Sequence, residues 1–540
     1  MKAKKWFTSL LVLTLLSIPL TSVSASSGAT DGYSLVLNPA NYTVKTLTVN
    51  NKTITYRAYE NIVYVKYPVD TNYQIMNIYV PEEYYKGKSI GGYTAKTAPI
   101  FLPNTVGGYM PGAPGSPGQG MDGGPNAALV ALSKGYVVAE PGARGRTTQD
   151  KNGLYTGKAP ACIVDLKAAV RYLRYNDKLM PGDAEKIISN GTSAGGALSA
   201  LLGATGNNKD YEPYLKAIGA ADTRDDIFAA SCYCPITNLD NADIAYEWLF
   251  NGINNYNKLT FPGPMTPNHG NPPTNIGQLP PGNPPPNLGA MPAGKPPKPP
   301  EAKATMTKEQ VKISDQLKLR FPGYLNSLGL KKSDGTPLTL DANGNGTFKD
   351  YIKSYVIVSA QKALDNGTDL SKLPWIKIQG RTVTDIDFNQ YVKYASRMKA
   401  TSAFDGLDLK TGENELFGTA TVKAQHFTQF GKYHSTAGGA LADASIVKML
   451  NPMNYIGTKE TTTARYWRIR HGAADRDTSL AIPVILATTL ENKGFNVDLA
   501  LPWGQGHGGD YDLNELFSWI DNICAPHQGN QHNLVNSPKN

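Results

Sequence analysis

The feature that most restricts the fold is an alternation of short apolar strands with amphipathic helices. Strand-like runs stand at Ala98–Leu102, Gly135–Ala139, Lys186–Ser189 and Ala229–Cys234, and Ala161–Tyr175 carries the clearest helical pattern between them. The alternation returns near the C-terminus, with strands at Tyr466–Arg470 and Val497–Leu501 and helices at Ser479–Asn492 and Leu513–Cys524. Strands that are joined through helices pair in parallel. The pattern predicts an α/β protein with a mostly parallel sheet, preceded by antiparallel strands at Thr53–Tyr56, Ile62–Val65 and Ile75–Val80.

Residues 238–451 interrupt this alternation. They include the tract 262–300, in which 15 of 39 residues are proline. Helical patterns flank the tract at Lys308–Arg320 and Asp350–Leu364. A run so rich in proline buries little apolar surface and is expected to be an extended or disordered loop. We therefore predict a core at 26–237 and 452–540 with a large lid domain inserted at 238–451. An interdomain linker is the alternative for the tract itself.

The N-terminus has the pattern of a secretory signal peptide. Lys2, Lys4 and Lys5 precede a short apolar run, and Val23-Ser24-Ala25 fits a cleavage site. This pattern predicts that residues 1–25 are removed and that the mature protein is secreted and extracellular. The run is short for a membrane anchor, and no later segment is long and apolar enough to span a bilayer, so no membrane association is expected after cleavage.

Charge and cysteine content exclude some classes of protein. The formal charge of +9 falls to +6 once the signal peptide and its three lysines are removed. No dense Lys/Arg block exists, so no nucleic-acid partner is expected. An exported chain could pair its four cysteines, Cys162, Cys232, Cys234 and Cys524, although buried free thiols are an equal alternative. Their spacing gives no zinc pattern, and we predict no metal ligands among them.

A candidate nucleophile lies in Gly191-Thr192-Ser193-Ala194-Gly195, which matches G-x-S-x-G. The match is weak alone in a chain with 53 glycines. It follows an apolar strand and opens an Ala/Leu-rich helix, however, and this strand–turn–helix setting is that of a nucleophile elbow in an α/β-hydrolase core. We predict that Ser193 is the nucleophile.

A serine hydroxyl needs a base, and His507 is the best placed of seven histidines. It lies in the glycine-rich loop after the strand Val497–Leu501, where an α/β-hydrolase carries its base. His471 ends a strand and could serve, although a structural role is favoured there. The orienting acid should lie between serine and base along the chain. Asp475 and Asp477 both follow the strand Tyr466–Arg470, and we favour Asp475 because it comes first.

Two backbone N–H groups should form the oxyanion hole. One is expected from Ala194, the residue after the nucleophile. The other is expected from Gly107, in the glycine-rich loop after the strand Ala98–Leu102. A plain turn is the alternative for that loop.

One segment resembles the start of a calcium loop. Asp341, Asn343 and Asn345 alternate with small residues, but Ile352 stands where such a loop carries glutamate. An Asx-rich turn is favoured, and calcium is kept as an alternative. The chemistry predicted above requires no cofactor.

Four motifs together resemble the bacterial tannases of the α/β-hydrolase superfamily, which are related to feruloyl esterases and cleave galloyl esters of tannins. The resemblance covers nearly all of the mature chain. The four motifs are Gly191-Thr192-Ser193-Ala194-Gly195-Gly196, Glu413-Asn414-Glu415-Leu416-Phe417-Gly418, Ala474-Asp475-Arg476-Asp477-Thr478 and Gly504-Gln505-Gly506-His507-Gly508-Gly509.

The resemblance implies a serine esterase with Ser193, Asp475 and His507 as catalytic triad and Gly107 and Ala194 at the oxyanion hole. It further implies that Lys399, Glu413 and Asp477 hold the galloyl hydroxyls of a small polyphenolic ester. Glu415 is near enough in sequence to be an alternative to Glu413.

Other functions stay open at this point. A feruloyl or other aryl carboxylesterase would share the core and triad but would not need the Lys/Glu/Asp set. A prolyl-oligopeptidase-like peptidase would require propeller repeats, which are not seen. A binding module with an inactive hydrolase fold is the alternative from a different class, and the intact Ser…Asp…His order argues against it.

Overall fold

The computed structural model describes residues 32–49, 52–120, 123–259 and 301–525. The predicted signal peptide (1–25) and the proline-rich tract (262–300) lie outside these ranges. The described strands are β1 (Thr43–Val49), β2 (Lys52–Val63), β3 (Ile75–Pro81), β4 (Pro99–Pro103), β5 (Val137–Pro141), β6 (Asp183–Thr192), β7 (Ala229–Tyr233), β8 (Asn255–Leu259), β9 (Glu301–Thr305), β10 (Ile376–Gln379), β11 (Thr382–Ile386), β12 (Tyr466–Arg470) and β13 (Asn496–Ala500).

Helices separate most of these strands. The described helices are α1 (Ala127–Ser133), α2 (Ala161–Tyr175), α3 (Ala194–Ala204), α4 (Glu212–Ala217), α5 (Leu239–Phe250), α6 (Lys308–Lys318), α7 (Phe321–Ser327), α8 (Thr347–Asp365), α9 (Phe388–Ala395), α10 (Gly412–Leu416), α11 (Gln429–Tyr433), α12 (Ala444–Met449), α13 (Ala481–Asn492) and α14 (Leu513–Cys524).

Nine strands form one sheet in the order β1-β2-β3-β5-β4-β6-β7-β12-β13. All pairs from β5 to β13 are parallel, whereas β1, β2 and β3 pair antiparallel at one edge. The prediction of a mostly parallel α/β sheet is therefore confirmed. The predicted strands Thr53–Tyr56 and Ile62–Val65 belong to one strand, β2, which continues as far as Val63. Its register shifts between Tyr59 and Ile62, where Asn61 has φ 58°.

Successive apolar side chains of a strand point to opposite faces of the sheet. A hydrophobic cluster covers each face, so the sheet is buried on both sides. In β4, Ile100 and Leu102 belong to the cluster that contains α2, α3 and α13. Phe101, between them, belongs to the cluster that contains α1 and α14. Strand β7 is buried along its whole length, as expected for a central parallel strand. Because these strands pair in parallel, the loops after β4, β6, β7, β12 and β13 all begin at the same edge of the sheet.

The described residues between β7 and β12 (234–259 and 301–465) add no strand to the nine-stranded sheet. They contain α5 to α12 and two antiparallel pairs, β8–β9 and β10–β11. In the first pair Leu259 lies opposite Glu301, so the two ends of the segment 260–300 are backbone neighbours. The division of the chain at 238 and 451 stays a prediction.

Two further observations concern the described residues only. None of their helices is long and apolar enough to cross a membrane. Cys162, Cys232, Cys234 and Cys524 are all buried and free, so the alternative with free thiols is the one observed.

Candidate active site

Ser193 lies in a sharp turn between β6 and α3. Its backbone has φ 61° and ψ −123°, a left-handed conformation that L-residues rarely adopt. The turn is possible only because small residues surround it. A Cβ at Gly195 would lie 2.6 Å from Asn104 Oδ1, and one at Gly196 would lie 2.5 Å from the Tyr233 carbonyl. The glycines that follow the serine therefore let α3 start directly against the neighbouring loops.

Ser193, His507 and Asp475 form one hydrogen-bonded chain. His507 Nε2 lies 2.8 Å from Ser193 Oγ, and its Nδ1 lies 2.9 Å from Asp475 Oδ2. The second oxygen, Asp475 Oδ1, accepts the backbone N–H of Asp477 at 2.8 Å. The structure thus joins the three residues that the sequence predicted as nucleophile, base and acid.

The charges along this chain support one another. Burial alone would raise the pKa of Asp475, but the nearby His507 and His471 outweigh burial and hold that pKa well below its usual value. Burial alone would lower the pKa of His507, yet the Asp475 and Asp477 carboxylates raise it well above 6.5. Asp475 therefore stays ionised and stabilises a positive charge on the His507 ring.

His471, the alternative base, lies away from Ser193. It is buried beside the acid, with its Nδ1 3.7 Å from Asp475 Oδ2. Burial, the largest influence, lowers its pKa. Among the described residues the ring nitrogen that contacts Ser193 Oγ belongs to His507, and His471 lies behind the acid.

The loop that carries His507 is held on two sides, by one backbone hydrogen bond and by one side-chain hydrogen bond. The Ala474 N–H donates to the Gln505 carbonyl at 2.8 Å, which joins the loops after β12 and β13. Asn190 Nδ2 donates to Asp510 Oδ1 at 3.0 Å, which joins the same loop to β6. These contacts explain why residues separated by hundreds of positions meet at one point.

The loop predicted for the oxyanion hole packs against the start of α3. Asn104 Nδ2 donates to the carbonyl of Gly195 at 3.1 Å and to that of Asn190 at 3.2 Å. A Cβ at Gly195 would also lie 2.7 Å from the Val106 carbonyl. Val106, the residue before Gly107, thus packs against the residue after Ala194, and the oxyanion hole of Gly107 and Ala194 stays a prediction.

Lys399, Asp477 and Glu413 form a polar cluster next to the base. Lys399 Nζ donates to Asp477 Oδ1 at 2.9 Å and lies 4.2 Å from the centre of the Phe404 ring. The same Asp477 oxygen is 4.0 Å from His507 Nε2. Burial lowers the pKa of Lys399, but Asp477 and Glu413 outweigh it and raise that pKa. Burial raises the pKa of Glu413, which the Lys399 charge opposes.

Glu415, the alternative to Glu413, has other partners. Its carboxylate pairs with Arg146 and lies 3.1 Å from Lys423 Nζ. Arg146 Nε in turn donates to the Gly108 carbonyl at 2.8 Å. Glu415 therefore fastens α10 to the loop of Gly107, whereas the Glu413 carboxylate interacts electrostatically with Lys399.

Sequence reasoning missed the residues that hold Lys399 in place. Tyr246 Oη on α5 accepts the backbone N–H of Lys399 at 3.2 Å and donates to the Arg476 carbonyl at 2.9 Å. Arg397 Nε donates to the Lys399 carbonyl at 2.9 Å. A tyrosine on an apolar helix face carries no sequence signal for such a task, because core packing gives the same pattern.

The calcium-like segment forms a turn closed by its own side chains. Asp341 Oδ1 accepts the backbone N–H groups of Asn343 and Asn345, both at 2.9 Å. Lys349 Nζ donates to Asn345 Oδ1 at 3.0 Å. The favoured Asx-rich turn fits these bonds, and calcium binding stays an untested alternative.

The fold described above defines the class of protein, an α/β-hydrolase. Residues 115–244, which include Ser193, match the BD-FAE family, a feruloyl esterase-like α/β-hydrolase domain. A comparison with curated proteins gave no match.

Solved structures give the family. A tannase from Fusobacterium nucleatum has 51% identity and a TM-score of 0.83, with 91% of this chain and 100% of that one covered. A tannase from Lactobacillus plantarum has 47% identity and a TM-score of 0.82, with 91% and 100% covered. A tannin acyl hydrolase solved in complex with ethyl gallate has 46% identity and a TM-score of 0.80, with 91% and 99% covered. The chain belongs to the bacterial tannase family. It is a carboxylic ester hydrolase of the kind that acts on aryl esters.

Proposed function

We propose that the protein is a secreted serine esterase that hydrolyses galloyl esters through an acyl-enzyme. The proposal rests on one observation: the hydrogen-bonded residues Ser193, His507 and Asp475 have the Lys399–Asp477 pair directly beside them. Ethyl gallate and 3,4-dihydroxybenzoate, ligands of similar tannin acyl hydrolases, support a phenolic ring as the acyl group.

The first half of the proposed reaction forms the acyl-enzyme. Ser193 Oγ attacks the ester carbonyl carbon while His507 Nε2 takes the hydroxyl proton. The N–H groups of Gly107 and Ala194 stabilise the negative charge on the carbonyl oxygen. As the tetrahedral intermediate collapses, the C–O bond to the alcohol breaks and His507 returns its proton to the leaving oxygen.

The second half releases the acid. Water replaces the alcohol, gives a proton to His507 and attacks the acyl carbon, and Ser193 leaves with that proton. Asp475 keeps the ring in the tautomer that can accept a proton at Nε2. Every step uses side chains and backbone groups of this chain.

The proposed selectivity for a galloyl ring rests on the polar cluster. Three adjacent hydroxyls require several polar partners, because each buried hydroxyl left unpaired costs about 1–3 kcal/mol. Lys399 can donate to them, while Asp477 and Glu413 can accept. Glu413 is preferred over Glu415 because the latter is engaged by Arg146 and Lys423.

The BD-FAE match favours one second candidate, a feruloyl or other aryl carboxylesterase. Hydrolysis of methyl gallate, methyl ferulate and p-nitrophenyl acetate by the purified enzyme separates the two. We expect the highest kcat/KM on methyl gallate. A higher value on methyl ferulate would overturn the galloyl proposal, and labelling of Ser193→Ala by a fluorophosphonate probe would overturn the assignment of the nucleophile.

Secretion and cofactor use are proposed on sequence grounds. Cleavage after Ala25 is checked by N-terminal sequencing of protein recovered from the culture medium, where we expect Ser26 first. We propose that catalysis needs no cofactor. Rates that are unchanged after dialysis against a chelator would agree with this, and a loss restored by calcium would point to Asp341, Asn343 and Asn345.

A further inference from the structure

Cys234 carries a thiol next to the triad that the reaction does not use. It follows β7 directly and is fully buried. Its Sγ lies 3.1 Å from the Gly508 carbonyl, one residue after His507. The ligand atoms of Cys234, Asp475 and His507 all lie within 4.8 Å of one another. Among the described residues no other such group of three is found.

A thiol, an imidazole and a carboxylate are the ligands that Zn²⁺ and softer ions such as Cd²⁺ prefer. We propose that thiophilic divalent metal ions bind Cys234, His507 and Asp475 and reversibly inhibit the enzyme. Three protein ligands leave the fourth tetrahedral position to water. Mg²⁺ and Ca²⁺ favour sites made of oxygen ligands and do not inhibit in this way.

The chemistry of binding explains the inhibition. The metal ion replaces the proton of the Cys234 thiol, which is released to water, and binds Nδ1 of neutral His507, whose single ring proton moves from Nδ1 to Nε2. Asp475 then contacts the ion in place of the ring. Because a neutral imidazole has one lone pair, a ring bound through Nδ1 must carry its proton on Nε2. That nitrogen donates to Ser193 Oγ and can no longer accept its proton.

The other three thiols provide matched controls. Cys162 lies within α2, and Cys524 is the last residue of α14. Cys232 belongs to the hydrophobic cluster that contains α2 and α3, whereas Cys234 belongs to the cluster on the other face of the sheet. None of these three belongs to the candidate metal group.

The test is a zinc titration of the full-length enzyme after treatment with a chelator. We measure p-nitrophenyl acetate hydrolysis, because galloyl hydroxyls would themselves bind the ion. The rate of wild type and of Cys524→Ser should fall with zinc and recover with EDTA. Cys234→Ser, relative to its own metal-free rate, should need roughly tenfold more zinc or higher for half inhibition. Equal inhibition of Cys234→Ser and wild type would overturn the proposal.

A second measurement does not depend on activity. Ser193→Ala keeps all three ligands, and calorimetry should show one zinc ion bound per chain. The same titration of Ser193→Ala/Cys234→Ser should show this binding lost or weakened by about tenfold or more. Zinc binding that is unchanged by the second substitution would overturn the site.

A separate observation concerns Asp405, which precedes α10 and is buried. Its Oδ1 accepts Asn414 Nδ2 at 2.8 Å and lies 2.7 Å from His426 Nδ1. Its Oδ2 accepts the backbone N–H and the hydroxyl of Thr428, at 2.9 and 2.6 Å. A Cβ at Gly431 would lie 2.2 Å from this oxygen, so the carboxylate is closely enclosed.

The network contains a second Ser–His–Asp chain, because His426 Nε2 lies 2.8 Å from Ser435 Oγ. The hydroxyl oxygen of Ser435 has other hydrogen-bond partners than that of Ser193. Its Oγ accepts the backbone N–H groups of Ala437 at 3.2 Å and Gly438 at 2.9 Å. With both lone pairs engaged and His426 fully buried, Ser435 is not available as a nucleophile.

The network instead reaches two residues of the proposed galloyl pocket. Asn414 follows Glu413 in α10, and Phe404, directly before Asp405, carries the ring beneath Lys399 Nζ. Thr411 Oγ1 donates to the Phe404 carbonyl and accepts the Asn414 N–H at 3.0 Å, which caps α10. We infer that Asp405 is a positioning residue that sets Lys399 and Glu413 for the galloyl ring. This inference rests on the proposed function.

The test compares methyl gallate with p-nitrophenyl acetate for Asp405→Asn. We expect kcat/KM on methyl gallate to fall roughly tenfold or more, with a far smaller change on the small ester. Ser435→Ala, the control, should keep the wild-type ratio of the two values. If Asp405→Asn does not fold, Asn414→Ala removes the link from Asp405 to α10, together with the side-chain bonds to Thr411 and Gln425, and should change the ratio in the same direction.

The outcomes separate this inference from the proposed function. A wild-type enzyme without preference for methyl gallate overturns the galloyl function, and the inference falls with it. A wild-type preference that Asp405→Asn and Asn414→Ala retain overturns only the positioning role. Loss of activity on both esters in Ser435→Ala would make Ser435 a second nucleophile. That result would also overturn the positioning role of Asp405.

Discussion

The reactivity of Ser193 depends on where its neighbours hold one proton. His507 contacts the serine through one ring nitrogen and Asp475 through the other, and Asp475 is fully buried. A buried carboxylate so placed favours the tautomer with Nε2 free to accept a proton. The neighbouring Asp477 adds negative charge 4.0 Å from that nitrogen.

Substitutions in the triad should lower turnover in a defined order. Ser193→Ala and His507→Ala should remove nearly all hydrolysis of p-nitrophenyl acetate, because no other described group can form and resolve the acyl-enzyme. Asp475→Asn should cost somewhat less. Steady-state kinetics at saturating ester check this order. A larger loss of kcat in Asp477→Asn than in Asp475→Asn would reverse the assignment of the acid.

The pH dependence should report His507. The base works only when neutral, so kcat/KM should rise with pH through the raised pKa of His507. Asp477 is one of the two carboxylates that raise this pKa. Asp477→Asn should therefore lower it and move the acidic limb for p-nitrophenyl acetate to lower pH. A limb that stays in place, or moves to higher pH, would contradict this electrostatic account.

The polar cluster should matter for a galloyl ester and little for a small one. Lys399→Ala, Glu413→Ala and Asp477→Ala should each reduce kcat/KM on methyl gallate by roughly tenfold or more, because each removes a charge-assisted hydrogen bond of about 1.5–3 kcal/mol. Hydrolysis of p-nitrophenyl acetate should change much less. Glu415→Gln is the matched control, since Glu415 pairs with Arg146 and Lys423. Equal losses on both esters would argue against the galloyl pocket.

The start of α3 and the loop after β4 act as one unit. Asn104 and Val106 both lie within about 3 Å of where a Gly195 Cβ would stand. Such contacts leave no room for a methyl group without movement of the loop that carries Gly107.

Gly195→Ala should therefore widen the oxyanion hole and lower kcat on both esters by about tenfold or more. Ala204→Gly, at the other end of α3, is the control. It should lower the melting temperature through reduced helix propensity yet leave kcat nearly unchanged. Full activity in Gly195→Ala would show that the loop does not set the oxyanion hole.

Across the whole chain, the proline-rich tract is the segment whose composition differs most from the rest. Its proline content predicts a loop outside the catalytic core. The strands β8 and β9 that flank it pair with Leu259 opposite Glu301, so a short connection suffices to join them. Replacement of Pro264–Pro297 by a short Gly/Ser linker should leave the melting temperature and p-nitrophenyl acetate hydrolysis nearly unchanged. A large loss of either would show that the tract packs against the enzyme.

Much of the fold could be predicted from local pattern alone. The helices Ala161–Tyr175 and Leu513–Cys524 and the strand Tyr466–Arg470 have the predicted bounds, because periodicity of apolar residues is a property of each segment. Less was predictable at the edge of the sheet. Strand β1 was missed because edge strands carry a weaker alternation of apolar residues. Strand β2 was divided in two because the register shift near Asn61 interrupts its alternation.

The amino-acid order alone predicted the turn at Ser193, since a strand, small residues and a helix follow one another there. The choice between Glu413 and Glu415, the support of Lys399 by Tyr246, and the position of Cys234 beside His507 depend on contacts between distant segments. Neighbouring helical residues have similar patterns but point in different directions, and only packing determines which one faces the site. Burial and charge at that site likewise arise from surrounding elements, so the pKa values of His507 and Asp475 follow from the tertiary structure.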